Sequence, residues 1–133
     1  MSNLPLIAIV DDDEAIRDAL SDLLLVEGFE CQAFDGAARF LSRYDGSTFG
    51  CLITDMRMPG MSGLELLEHL HRRGSTLPVI VLTSVIDEQC RQQSLGLGAR
   101  AWLFKPVADK VLLSALKDAL QAGEGAHSGG AGR

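Results

Sequence analysis

Four short apolar runs punctuate the chain: Leu6-Ile7-Ala8-Ile9-Val10, Cys51-Leu52-Ile53-Thr54, Val79-Ile80-Val81-Leu82 and Ala101-Trp102-Leu103-Phe104. Continuous apolar runs of this length, without alternation, predict strands buried on both faces. Phe29 to Phe34 is a fifth, less apolar strand. Between the strands the period changes to that of a helix. Ile16, Ala19, Leu20, Leu23 and Leu24 make one apolar face. Asp12 or Asp13 is placed to cap that helix, and Gly28 to stop it. Ala37, Ala38, Phe40, Leu41 and Tyr44 predict a short second helix, followed by a turn at Asp45-Gly46-Ser47. Ser62 and Glu65 form a capping-box pattern that opens a third helix, carried on by Leu64, Leu67, Leu70 and His71 and ended by Gly74. The segment from Asp87 to Leu97 has few apolar positions and is the poorest helix. The last is the clearest, with Val111, Leu112, Ala115, Leu116, Ala119 and Leu120 in one stripe.

Five strands alternating with five helices predict an α/β fold with one parallel sheet covered on both faces. The expected architecture is a single doubly wound five-stranded sheet, (βα)5 and flavodoxin-like, with strand order 2-1-3-4-5. One domain then occupies residues 1–121. Residues 122–133 contain five glycines with Ala and Ser, and read as a flexible tail or a truncated linker.

The strand ends carry the chemistry. The first run ends in Asp11-Asp12-Asp13, the third strand in Asp55, the fourth in Thr83 and the fifth in Lys105, before Pro106. In an open parallel sheet the carboxyl ends of the strands are where ligands bind. The order 2-1-3-4-5 sets the first and third strands side by side, so Asp11, Asp12 and Asp55 meet. Clustered carboxylates are hard oxygen ligands that suit Mg²⁺, and such Mg²⁺ sites commonly handle phosphate.

Length and charge narrow the function. A chain of 133 residues suits one domain, and 47% hydrophobic residues suffice for a core. A net charge of -6 argues against a general nucleic-acid surface, so DNA contact would need another domain or partner. Cys31, Cys51 and Cys90 are odd in number and lack CxxC spacing, and two of them fall in apolar strands. That points away from disulfides and zinc and towards a reducing cytoplasm. No apolar run is long enough to span a bilayer, and Met1-Ser2-Asn3 does not begin a signal segment. His69, His71 and His127 lack metal-ligand spacing.

Val10-Asp11-Asp12-Asp13-Glu14, Thr54-Asp55-Met56-Arg57-Met58-Pro59-Gly60-Met61-Ser62-Gly63, Val81-Leu82-Thr83-Ser84 and Phe104-Lys105-Pro106 together resemble a two-component response-regulator receiver domain. The likeness covers about residues 5 to 121, and its local phrases are most like the receivers of FixJ/NarL-type transcriptional regulators. It implies Asp55 as the phosphoacceptor. It implies Asp11 and Asp12 as an acidic Mg²⁺ pair, with the backbone carbonyl of Arg57 and Asp55 itself as further ligands. Asp13 then opens the first helix. Lys105 would pair with an acceptor oxygen and later with a phosphoryl oxygen, and Thr83 would hydrogen-bond another. Ser84 takes the place where the family favours a small residue, and Trp102 the place of an aromatic that swings inward on phosphorylation. The family's Lys-Pro bond is often cis.

The function so implied is a phosphorylation-activated switch. A histidine kinase or phosphotransfer protein donates the phosphoryl group, the receiver catalyses only its own phosphorylation and dephosphorylation, and a homodimerisation or partner-docking face changes. The output would be a DNA-binding domain outside this chain. A stand-alone receiver acting by protein–protein interaction is the alternative. Taken singly, each motif has a plainer explanation: an acidic helix cap, a turn aspartate, a strand-ending Thr-Ser turn, a solvated lysine, a half-buried strand tryptophan. An aspartyl-phosphate phosphatase or phosphotransferase wants an acid–base aspartate commonly two residues after the nucleophile, where Arg57 stands. A flavodoxin-like cofactor carrier wants a Ser/Thr/Gly-rich loop after the first strand, where this chain has acid. A receiver that binds partners without phosphorylation would not need the full set of site residues.

Overall fold

The computed structural model describes the backbone of residues 5–132 and the side chains of residues 5–121. Met1-Ser2-Asn3 and the His127 side chain lie outside the described residues. Five strands and five helices alternate: β1 Leu6–Val10, α1 Glu14–Val26, β2 Glu30–Phe34, α2 Ala37–Arg43, β3 Phe49–Thr54, α3 Gly63–Arg72, β4 Val79–Thr83, α4 Glu88–Gly96, β5 Ala99–Phe104 and α5 Asp109–Gly132. The strands form one parallel sheet in the order β2-β1-β3-β4-β5.

Successive strand residues alternate between two cores. Ile7 and Ile9 of β1, Cys51 and Ile53 of β3 and Ile80 and Leu82 of β4 pack with Leu20 and Leu24 of α1 and Leu112 and Leu116 of α5. Ala8, Val10, Leu52, Val79 and Val81 face the other way, onto Phe40 of α2 and Leu66, Leu67 and Leu70 of α3. This two-sided burial is why β1, β3 and β4 read as unbroken apolar runs. Leu112 and Leu116 are fully buried, and each contributes about 1.5–3 kcal/mol by leaving water.

The helix starts follow side-chain chemistry. Asp13, not Asp12, caps α1, accepting from the N–H groups of Ala15 and Ile16. Ser62 and Glu65 close the capping box of α3. Asp87 caps α4 through the Cys90 N–H. Gly28, at φ 91°, takes the left-handed conformation just past α1 and turns the chain into β2.

Two elements depart from the pattern. The buried face of α3 includes Leu66, while His71 is exposed. The backbone of α5 stays helical to Gly132, where the glycine-rich composition predicts a tail from residue 122. Extending an existing helix avoids the cost of nucleation, although each glycine disfavours it by about 1 kcal/mol.

Candidate functional site

The site lies at the carboxyl ends of β1, β3, β4 and β5. Backbone bonds knit that rim together. The Asp11 N–H donates to Phe34 O at 3.2 Å, the Asp55 N–H to Val10 O at 3.0 Å and the Lys105 N–H to Thr83 O at 2.9 Å. One carboxylate oxygen from each of Asp11, Asp12 and Asp55 lies within 4.8 Å of the others. Asp11 and Asp55 are buried, and Asp12 is exposed.

Asp11 is held at every polar atom. Its Oδ1 accepts from the Asp13 N–H at 2.9 Å, and its Oδ2 accepts from Lys105 Nζ at 2.7 Å. Its backbone carbonyl accepts from Arg17 Nη1 at 2.8 Å. Asp55 is held at both carboxylate oxygens. Oδ1 accepts from the Met56 N–H at 2.7 Å and Oδ2 from Lys105 Nζ at 3.3 Å. Lys105 therefore bridges the two buried carboxylates and sits closer to Asp11 than to the expected phosphoacceptor. Burial works against its charge, but the hydrogen bond and charge of Asp11, then those of Asp55, outweigh it and hold the lysine above its ordinary pKa.

Thr83 is fully buried at the end of β4. Its Oγ1 accepts from the Val85 N–H at 3.1 Å, which leaves the hydroxyl hydrogen to offer elsewhere. Ser84 follows it, exposed to solvent. Arg57 is exposed, and among the described residues its backbone carbonyl accepts no hydrogen bond. The Lys105–Pro106 peptide is cis. Trp102 is half-buried and packs against the core that faces α2 and α3. Its ring meets Phe104 edge-on at 6.4 Å. The indole Nε1 is buried and, among the described residues, has no hydrogen-bond partner.

The structure thus gathers Asp11, Asp12, Asp55, Thr83 and Lys105 on one rim and diverts Asp13 to a helix cap. Two further residues contribute. Arg17, in the first turns of α1, reaches back to the Asp11 carbonyl. Gly63 lies against the Asp55 backbone, and its N–H donates to Met56 O at 2.8 Å.

Residues 7–117 match the response regulator receiver domain family. The chain belongs to the response regulator receiver family. Receiver domains of response regulators are phosphorylation-activated switches rather than classical enzymes, and they bind Mg²⁺ at an acidic pocket. The donors here fit that ion: three carboxylates on hard oxygen, one of them open to water. The receiver is 38% identical over 118 residues to the transcriptional regulatory protein FixJ of Bradyrhizobium diazoefficiens, covering 89% of this chain and 58% of that protein. It is 39% identical over 119 residues to the C4-dicarboxylate transport transcriptional regulatory protein DctR of Rhodobacter capsulatus, covering 88% of this chain and 60% of that one. The chain thus spans less than two thirds of these relatives. Among solved structures, FixJ-N superposes with a TM-score of 0.82 at 34% identity, covering 91% of this receiver and 96% of that chain. No helix is long and apolar enough, among the described residues, to cross a membrane.

Proposed function

We propose that this receiver takes a phosphoryl group on Asp55 from a phosphohistidine of a sensor kinase or phosphotransfer protein. An Asp55 carboxylate oxygen forms the new bond to phosphorus as the phosphorus–nitrogen bond to the donor imidazole breaks, and the electron pair stays on that nitrogen. The supporting observation is that Asp55 lies with Asp11 and Asp12 in one acidic cluster, and 3.3 Å from the Lys105 ammonium.

Asp11, Asp12, Asp55 and the Arg57 carbonyl would hold Mg²⁺, which would supply positive charge to offset that of the carboxylates and the phosphoryl group. Lys105 would follow the added charge by shifting its hydrogen bond from Asp11 towards the phosphoryl group. Thr83 would offer its free hydroxyl hydrogen to the same group, and the exposed Ser84 would leave room for it. Trp102 and α4 would then repack and alter the face used for homodimerisation or partner docking. α4 is suited to this because Ser94 is its sole buried residue.

In this reading residues 1–121 are the receiver and 122–133 the linker. The output is a DNA-binding domain, as the transcriptional roles of the relatives suggest, and the setting is the cytoplasm. The test is phosphotransfer from a phosphorylated histidine kinase. Label should pass to the wild type and not to Asp55→Asn, and equal transfer to both would overturn the assignment.

A further inference from the structure

A second cluster of charge lies at the edge of the sheet, beyond the acidic rim. A cavity of about 570 Å³ opens beside β2, the edge strand. Three arginines line it: Arg17 from α1, and Arg39 and Arg43 from α2. Gln32 and Ser42 add neutral polar groups, and Asp35 is its only carboxylate. Asp35 pairs with Arg39 at 3.4 Å across an exposed helical spacing. Among the described residues, Arg17 and Arg43 have no carboxylate partner. The cavity therefore carries an excess of positive charge on a chain whose net charge is -6.

We propose that this arginine-lined cavity binds a small free phosphate ester or phosphoanhydride. Guanidinium groups pair in bidentate fashion with phosphate oxygens and need little desolvation to do so. Arg39 and Arg43 lie one turn apart on α2 and Arg17 comes from α1, so two helices contribute arginines to one cavity. Arg17 donates one N–H to the Asp11 carbonyl and has four others for a ligand. A bound anion thus does not have to displace Arg17 from the acidic loop. The site is separate from Asp55 chemistry and stands whether or not Asp55 accepts a phosphoryl group.

The test is a titration with pyrophosphate, followed by amide and arginine Nε–H chemical shifts. Resin-treated buffer removes divalent cations, so the acidic cluster repels the anion and only the cavity responds. Shifts should centre on Gln32 to Arg43 and on Arg17. Arg39→Gln/Arg43→Gln should fold normally and bind about tenfold more weakly or worse. Acetate at equal ionic strength should produce no saturable shift. Shifts spread over the surface, equal shifts with acetate, or unchanged binding in the double variant would overturn the proposal.

Discussion

Gly63 sits so close to Asp55 that a Cβ at this position would collide with the Asp55 carbonyl oxygen and lie 2.9 Å from the Met56 Cα. Both contacts are backbone, so the loop cannot yield by rotating a side chain. The start of α3 and the Asp55 segment are thereby locked in register, and the residue that permits it is the last of the Thr54 to Gly63 motif. Gly63→Ala should lower stability by about 1–3 kcal/mol through overpacking. It should also slow phosphorylation by displacing Asp55. Denaturant melts and labelling kinetics check both, and a variant equal to wild type in both would remove Gly63 from the account.

Lys105 is the cation between two buried carboxylates. Lys105→Ala should lose about 1–3 kcal/mol of stability, because Asp11 and Asp55 lose a hydrogen-bond donor. Mg²⁺ should then raise the melting temperature of the variant more than that of wild type, since the metal supplies the missing positive charge. An equal Mg²⁺ response in both proteins would contradict this. The pH dependence has a definite sign. A lysine raised in the folded state stabilises at every pH below its unfolded value of 10.5, and that stabilisation is lost only as pH climbs through the folded pKa. Between pH 6 and 9, the Lys105 pairing should therefore add no slope to the stability curve.

Arg17 and Asp12 test the acidic loop from opposite sides. Asp12→Ala removes the exposed carboxylate of the cluster and should abolish most of the Mg²⁺-induced stabilisation. Arg17→Ala frees the Asp11 carbonyl from its 2.8 Å bond and should weaken Mg²⁺ binding several-fold while the protein stays folded. Arg17→Lys should restore part of it. The measurement is the Mg²⁺ titration of Trp102 fluorescence, and an affinity unchanged in Asp12→Ala would remove that residue from the metal site.

Trp102 buries an indole N–H that, among the described residues, has no partner. Such a group costs about 1–3 kcal/mol, so Trp102→Phe should remain within about 1 kcal/mol of wild type despite its smaller ring. A much larger loss would mean that the nitrogen finds a partner in solution. Trp102 is also the sole tryptophan. On phosphorylation its acrylamide quenching should fall as the ring turns inward, and in Asp55→Asn treated alike it should not change.

The sheet was legible because β1, β3 and β4 are buried on both faces and so contain no polar interruption before their ends. Those ends, with the end of β5, then displayed Asp11, Asp12, Asp55, Thr83 and Lys105 as polar residues closing apolar runs. The strand order brought them together. What stayed hidden depends on geometry that spacing does not carry. Either Asp12 or Asp13 had the chemistry to cap α1, and only the path of the loop assigns it to Asp13. The preference of Lys105 for Asp11 over Asp55 is a matter of 0.6 Å between 2.7 and 3.3 Å. Arg17 is one helical turn beyond Asp13, and nothing in its spacing marks a bond to the Asp11 carbonyl. α4 read poorly because it buries only Ser94. The continuation of α5 to Gly132 has no apolar stripe to announce it.

On the proposed reading, Asp55 accepts a phosphoryl group with the help of the acidic cluster. Intact-mass measurement after incubation with acetyl phosphate tests it most directly. One phosphoryl group should add to the wild type in Mg²⁺, little in chelator, and none to Asp55→Asn. Stoichiometric addition that persists in Asp55→Asn, or that proceeds equally without a divalent cation, would contradict it.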